Sequence, residues 1–243
     1  MERLWDLGQQ HLVAGRYVSA RRLLEAAESI AWRAADARTL ARLYLSLLET
    51  RRQIRQTAAE GTIIIGDWRQ ARAEREQSRV FLNQAAAGTF LFAGHHPEKM
   101  AAGVPYAARR RFACLEGLIL LTHRDETRVA ALGDATFAGG LSVRWTTDPA
   151  DLIQPGAEVV VPLPPAGSYQ PGHPLHALAR ESLIVAWEAL ALKWQARHPL
   201  KGDAWEQMAW QRLALRIDPA CEPAAMKMIA LAEGVERDDV SMK

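Results

Sequence analysis

The chain has 243 residues, of which 49% are hydrophobic and 24% are charged, and its formal net charge is +2. This length and composition fit a water-soluble globular protein of one or two domains, and the small net charge does not favour a nucleic-acid partner. We find no secretory signal at the start and no apolar run near the about 20 residues that cross a bilayer, so we expect a cytoplasmic protein without a membrane partner. Cys114 and Cys221 lack the spacing of a disulfide framework or a zinc site.

The first thirty residues, Met1 to Ile30, predict two helices packed back to back around a tight turn at Ala14-Gly15-Arg16. The facing sides of the two helices are Leu4, Leu7 and His11 before the turn, and Ala20, Leu23, Leu24 and Ala27 after it. One antiparallel helix pair cannot bury its own apolar face, so we expect further helices to stack on it. A third helix is predicted from the N-cap residue Asp36 to Ala59.

The first hairpin contains a recognisable set of residues: Leu7-Gly8, His11, Gly15-Arg16-Tyr17, Ala20, Leu24 and Ala27. In these positions it resembles one tetratricopeptide repeat, a helix pair in which small residues let the helices cross closely. A second partial match near the other end consists of Trp194, His198, Gly202-Asp203, Ala214 and Ile217-Asp218-Pro219. The first match departs from the family at His11, where the family has an aromatic residue, and at Trp32, which replaces its closing proline.

The resemblance implies an interaction module or adaptor, because stacked repeats form grooves that bind extended peptides or helices of other proteins. The partner is then another protein or a second copy of this chain, and no cofactor is needed. Polar residues flank the apolar stripe on the inner face of the hairpin and of the third helix. We take them as candidate partner-binding positions: Gln9, Gln10, Arg16, Arg38 and Arg42. Ordinary exposure to solvent explains these polar residues equally well.

From Thr62 onward the pattern changes to short apolar runs, which are typical of buried strands. The runs are Thr62–Ile65, Thr89–Phe92, Leu118–Leu121, Leu141–Trp145 and Glu158–Val161. Helical segments are predicted between them at 68–86, 105–114, 126–132 and 149–153. This alternation indicates βαβ units and a largely parallel sheet covered on both faces. Alternatively, 118–121 continues the helix that begins near Pro105, which makes the middle of the chain an irregular α+β insert.

A proline-rich stretch at 162–174 is predicted to lack regular structure. Three helices follow at 176–197, 204–216 and 223–232. Gly234 is expected to lie beyond the last helix, before a polar, frayed tail. The sequence therefore predicts a helix-rich fold of mixed α and β structure, in which tetratricopeptide-like hairpins flank a central α/β segment. The predicted regions are 1–60 (helical), 61–165 (α/β) and 175–235 (helical).

The loops after the predicted strands carry candidate metal ligands, because ligands bind beyond the carboxyl ends of parallel strands. These candidates are Asp67, His95, His96, His123, Asp125 and Asp148. Imidazole and carboxylate groups bind divalent metals and act as general acids and bases near neutral pH. An alternative function is therefore that of a small metal-dependent hydrolase with a divalent metal as its cofactor.

One resemblance bears on this alternative. Gly66-Asp67 and Gly94-His95-His96-Pro97-Glu98 are similar to motifs of the calcineurin-like metallophosphatases. The opening Asp-x-His motif of that family is absent, His95 stands where the family has a bridging asparagine, and no closing Gly-His-x-His follows. A turn after a strand, with Pro97 opening the next helix, explains the second motif as well.

Overall fold

The computed structural model describes residues 1–67, 83–93, 104, 107–108, 110–123, 126–132, 153–160, 163–197 and 202–241. These residues form a helix-rich fold of mixed α and β structure, as predicted. The helices are α1 (Glu2–Val13), α2 (Tyr17–Arg33), α3 (Ala37–Glu60), α4 (His176–Arg197), α5 (Ala204–Ile217) and α6 (Glu222–Ser241). The strands are β1 (Thr62–Asp67), β2 (Ala87–Ala93), β3 (Cys114–His123), β4 (Glu126–Leu132), β5 (Ile153–Val160) and β6 (Gly167–Tyr169).

The chain divides into two compact units. The helical unit combines residues 1–54 with 198–243, and the sheet unit comprises 55–197, so the boundary falls within α3. The predicted helical region 175–235 is therefore not one unit. Its first helix, α4, belongs to the sheet unit because it packs on β5, β4 and β1.

The back-to-back helices predicted for the first thirty residues are confirmed as α1 and α2. Gly15, in the turn between them, has a φ of 70°, a left-handed conformation that glycine adopts without steric cost. Gly8 lies where the two helices approach closely, since a Cβ atom there would lie 2.7 Å from the side chain of Leu24. Ala20 and Ala27 are fully buried, so small residues allow this hairpin to close.

Helix α3 begins where Asp36 predicts it to begin. The Asp36 carboxylate accepts hydrogen bonds from the backbone N–H and the hydroxyl of Thr39, at 2.9 and 2.7 Å, which caps the first turn. One side of the helix is buried at helical spacing by Leu40, Leu43, Tyr44, Leu47 and Ile54. The predicted third helix is thus confirmed.

The C-terminal hairpin of the helical unit consists of α5 and α6. Asp203 and Glu206 form a capping box at the start of α5, in which each side chain accepts a hydrogen bond from the backbone N–H of the other residue. Helix α6 continues to Ser241, so the prediction that the last helix stops at Ala232 and leaves a frayed tail is wrong. Gly234 lies inside the helix, where it costs only about 1 kcal/mol.

In the sheet unit, the described strands form one mixed sheet with the order β5-β4-β3-β2-β1-β6. Strands β1, β2 and β3 are parallel to one another, whereas β4, β5 and β6 each pair in antiparallel fashion. Phe90 and Leu91 are successive residues of β2 and are both fully buried, so the centre of the sheet is covered on both faces. The prediction of a largely parallel sheet is correct only for this centre.

Several local predictions can be compared with these strands. Residues 118–121 belong to β3, which pairs with β2 and β4, so the strand is confirmed and the alternative helix is wrong. Residues 126–132 form β4 and not a short helix, because this segment pairs with β3 on one side and β5 on the other. Within the proline-rich stretch, Gly167–Tyr169 form the edge strand β6, so that stretch does hold regular structure. The predicted strand 141–145 lies outside the described residues.

Helix α4 is fixed on the sheet by polar as well as apolar contacts. The guanidinium of Arg55 stacks on the ring of Trp187 at 4.3 Å and pairs with the Glu116 carboxylate of β3 at 3.8 Å. At the start of α4, His176 Nε2 donates a hydrogen bond to the carbonyl oxygen of Gly61 at 2.8 Å. The side of α4 that carries Trp187 is therefore held in the interior of the sheet unit.

Candidate interaction surface

Two contacts with the same sequence offset place α1 and α3 side by side. The guanidinium of Arg42 lies 4.2 Å from the ring centroid of Trp5, and the Gln9 side-chain amide donates a hydrogen bond to the Ser46 hydroxyl. Both contacts join residues 37 positions apart, and both partners advance by four residues from one contact to the next. Helices α1 and α3 therefore run parallel to each other, as successive helical hairpins do when they stack.

Two ion pairs place α6 along the other side of α3. Arg38 pairs with Glu236 at 3.4 Å, and Arg52 pairs with Glu222 at 3.3 Å. The pairs are separated by fourteen residues on each helix, and the numbering decreases on α6 as it increases on α3, so the two helices are antiparallel. At 1.5 Å per residue, the pairs lie about 21 Å apart.

An apolar strip lies between these two ion pairs. Leu45 stands midway between the paired arginines of α3 and is 55% exposed. Met226 follows one turn after the first paired glutamate of α6 and is 46% exposed. The midpoint of the α6 pairs is Ile229, which is buried and which the register of the two ion pairs places at the level of Leu45. We call the surface formed by Arg38, Leu45, Arg52, Glu222, Met226 and Glu236 the α3–α6 groove.

The exposed side chains of α3 follow one continuous stripe through this groove. They recur at spacings of three and four residues: Arg38, Arg42, Leu45, Glu49 and Arg52. In this stripe a large apolar side chain is surrounded by charges of both signs. That composition, an apolar centre with a polar rim, is typical of protein-binding surfaces.

The side of α3 opposite to the exposed stripe contacts a buried carboxylate, that of Glu28 of α2, which is only 7% exposed. Glu28 accepts a hydrogen bond from the Tyr44 hydroxyl at 2.9 Å and pairs with Arg212 of α5 at 2.8 Å. The Arg212 guanidinium also stacks on Trp32 at 4.6 Å, and Trp32 meets Trp205 edge to face at 5.6 Å. We call these residues the Glu28 network, and they connect α2, α3 and α5 beneath the groove.

The electrostatics of the Glu28 network favour a neutral tyrosine. Burial raises the pKa of the Tyr44 hydroxyl well above its ordinary value of 10.0, and the negative charge of Glu28 raises this pKa further. The hydroxyl therefore remains a hydrogen-bond donor to Glu28 throughout the neutral pH range. The network combines a charge-assisted hydrogen bond, an ion pair and aromatic stacking, which restricts movement of α3 relative to α2 and α5.

The five predicted partner-binding residues are only partly brought together. Arg38 and Arg42 lie on the exposed stripe of α3, whereas Gln9 is half-buried and forms the internal contact with α3. Gln10 and Arg16 are exposed on the hairpin. Leu45 and the α6 residues of the groove are not among the positions predicted from the sequence. Leu45 could have been found, because it continues the helical spacing that begins at Arg38 and Arg42.

The predicted metal ligands are described only in part. His95, His96, Asp125 and Asp148 lie outside the described residues, and for Asp67 and His123 the structure describes the backbone alone. The sheet register pairs Asp67 with Ala93 and pairs Phe92 with Ile119. His123 consequently lies two strands away from Asp67 and three residues farther along the strand direction, which separates their Cα atoms by about 14 Å.

Among the side chains that are described, no group of three or more His, Cys, Asp and Glu residues could hold a metal ion. The hydrolase alternative and its six ligands stay a prediction. None of the described helices is both long enough and apolar enough to cross a membrane. The comparisons with family models, curated proteins and solved structures find no match.

Proposed function

We propose that the protein is an interaction module that binds an α-helix of a partner protein in the α3–α6 groove. The observation that carries this proposal is the pair of exposed apolar side chains, Leu45 and Met226, framed by two ion pairs between neighbouring helices. The resemblance of the first hairpin to a tetratricopeptide repeat supports the same class of function.

The dimensions of the groove favour a helix as its occupant. The two ion pairs enclose about 21 Å, which corresponds to about four turns of an α-helix. A partner helix with apolar residues at spacings of three and four would cover Leu45 and Met226, and burial of such side chains supplies most of the affinity in this mode of recognition. Charged residues at the ends of the partner helix would meet Arg38 or Arg52, together with the glutamates paired to them, and would set its direction.

The framework beneath the groove supports binding without rearrangement. Glu28, Tyr44 and Arg212 fix the buried side of α3, and Trp5 and Arg42 fix its flank against α1. A surface held in this way loses little conformational entropy when a partner binds. The exposed stripe therefore presents its apolar centre in a defined geometry.

Affinity purification from the native host tests this proposal with a matched pair of variants. Leu45→Asp places a charge in the groove, and Ile30→Asp makes the same kind of change at an exposed apolar residue of α2. We expect the wild-type chain and the Ile30→Asp variant to capture the same partner protein, and the Leu45→Asp variant to lose it. With that partner purified, Leu45→Asp should weaken the measured affinity at least about tenfold, in keeping with a residue at the centre of an interface. Equal retention by all three proteins would contradict the proposal.

A further inference from the structure

Helix α4 carries an exposed face on the side opposite to the one that packs on the sheet. Leu183, Ala186, Trp187 and Leu190 are buried. The described exposed positions are Ala177, Leu178, Glu181, Ile184, Val185, Glu188, Leu192 and Ala196. Four of these are large apolar residues, and Val185 and Leu192 expose 53% and 51% of their surface. A helix that is apolar on both sides is normally covered on both sides.

The exposed face has a regular internal order. Leu178, Val185 and Leu192 follow one another at intervals of seven residues and so form one row along the helix. Glu181 and Glu188, also seven residues apart, form the row beside it, and Ala177 and Ile184 form a third row on the far side of the glutamates. The face therefore consists of an acidic row between two apolar rows, and we call it the α4 outer face.

The charge of this face decides what can cover it. Both charged side chains at the described exposed positions of α4 are glutamates, and they stand in the middle of the face. A second copy that paired through the same face would bring these glutamates against one another, because a two-fold interface brings the same patch from both subunits together. An anionic membrane surface would repel them as well. An occupant with positive charge at the centre and apolar residues on both sides complements the face.

We infer that the α4 outer face docks a basic amphipathic helix of another protein, with lysine or arginine residues seven positions apart. A seven-residue interval spans about 10.5 Å on a helix, so two such cations would meet Glu181 and Glu188 while leucine or isoleucine residues cover the flanking apolar rows. This inference does not depend on the α3–α6 groove, since it concerns the other unit of the chain and different residues.

The packing of α4 on the sheet supports this assignment. Trp187 lies on the buried side of the same helical turns and is held by Arg55, which in turn pairs with Glu116 of β3. The contact between His176 and the Gly61 carbonyl fixes the start of the helix. These contacts fix the rotation of α4 about its own axis. The α4 outer face therefore has a defined orientation, as a docking surface requires.

Two synthetic helical peptides of about 21 residues, or three heptads, serve as probes. One has lysine at every seventh position with leucine on both sides, and the other has glutamate in place of lysine. Fluorescence anisotropy with the full chain should show binding of the lysine peptide and much weaker binding of the glutamate peptide. The double variant Glu181→Lys and Glu188→Lys should bind the lysine peptide at least about tenfold more weakly than the wild type does. It should bind the glutamate peptide more tightly than the lysine peptide.

A charge-matched control separates this face from a general effect of net charge. Glu2→Lys with Asp6→Lys changes the charge by the same amount on the exposed surface of α1, and it should leave the affinity for the lysine peptide unchanged. Circular dichroism checks that every variant is folded. Equal binding of the two peptides by the wild type, no binding of the lysine peptide, or an unchanged affinity in the Glu181 and Glu188 variant would overturn the inference. It would also be overturned if the chain forms a dimer that Val185→Asp disrupts, because the face would then belong to a second copy.

Discussion

In each of the two units, the helix that carries the candidate binding surface is held in place by the same three kinds of residue: arginine, glutamate and tryptophan. In the helical unit, an arginine is placed between Glu28 and a tryptophan behind α3, and in the sheet unit Arg55 is placed between Glu116 and Trp187 behind α4. On its other side, α3 exposes one large apolar residue, Leu45, and the described part of α4 exposes four: Leu178, Ile184, Val185 and Leu192. In both units, a largely buried charge pair on one side of a helix accompanies exposed apolar surface on the opposite side.

The two pairs differ in how closely the charges approach. Arg212 lies 2.8 Å from Glu28, which also accepts the Tyr44 hydrogen bond, whereas Arg55 and Glu116 are 3.8 Å apart. The first distance is that of a charge-assisted hydrogen bond, and the second is that of a weaker electrostatic contact. The buried side of α3 therefore depends on a specific polar network, while α4 depends more on its apolar packing against the sheet.

Removal of the Glu28 carboxylate should have the largest effect on stability. In Glu28→Ala, the guanidinium of Arg212 and the hydroxyl of Tyr44 lose their common partner in a buried site, so we expect a loss of about 3–5 kcal/mol in the free energy of unfolding. Urea denaturation followed by circular dichroism measures this loss. The exposed Glu233→Ala serves as the control and should change the free energy by less than about 0.5 kcal/mol. A loss below about 1 kcal/mol for Glu28→Ala would show that the network does not anchor α3.

The Tyr44 hydroxyl should make a smaller contribution that depends on pH. Tyr44→Phe removes one hydrogen bond to Glu28 and should cost about 1–2 kcal/mol at neutral pH. Because the pKa of Tyr44 is raised in the folded protein, its stabilising contribution is complete below the unfolded value of 10.0 and declines as the pH rises above that value. The difference between wild type and Tyr44→Phe should therefore shrink between neutral and strongly alkaline pH. A difference that stays constant or grows would contradict this assignment.

Substitution of Glu116 should affect stability less than either change in the Glu28 network. Glu116→Gln keeps the size of the side chain and removes a charge that lies 3.8 Å from Arg55, so we expect a loss of about 1 kcal/mol. Glu60→Gln, an exposed residue of α3, is the matched control. If Glu116→Gln destabilised the protein as much as Glu28→Ala does, the distinction between the two pairs would be lost.

Changes in the α3–α6 groove should leave stability almost unaltered. Leu45 and Met226 are each about half exposed, so Leu45→Asp or Met226→Asp should shift the free energy of unfolding by less than about 0.5 kcal/mol. Thermal denaturation of both variants checks this expectation. A large loss of stability would mean that these side chains belong to the core, and it would remove the reason to treat them as a binding surface.

Much of the helical structure could be predicted because its determinants are local. The periodic apolar residues of α1, α2 and α3, the Asp36 cap and the turn at Gly15 each depend on neighbours within a few positions. The strand β4 was not predictable in this way, since its seven residues are too few for their spacing to separate strand from helix. Its pairing with β3 and β5, which lie elsewhere in the sequence, decides its conformation.

Only the α3 part of the candidate surface could be predicted from the sequence. Arg38 and Arg42 are polar residues on a predicted helix, and the sequence places them on its exposed face. Their neighbours on α6 come from the far end of the chain: Arg52 meets Glu222 at a separation of 170 residues. Contacts at that distance have no local signature, so Met226 and the paired glutamates could be found only from the folded chain.

Site-specific photo-crosslinking in the native host can show whether the α3–α6 groove binds a helix of another protein. A photoreactive amino acid replaces Leu45 in one sample and the exposed Ile30 of α2 in the other. We expect a crosslink from position 45 to one protein, mapped to a helical segment with apolar residues at spacings of three and four, and no such product from position 30. The absence of a crosslink at position 45, or the same product from both positions, would contradict the proposed function.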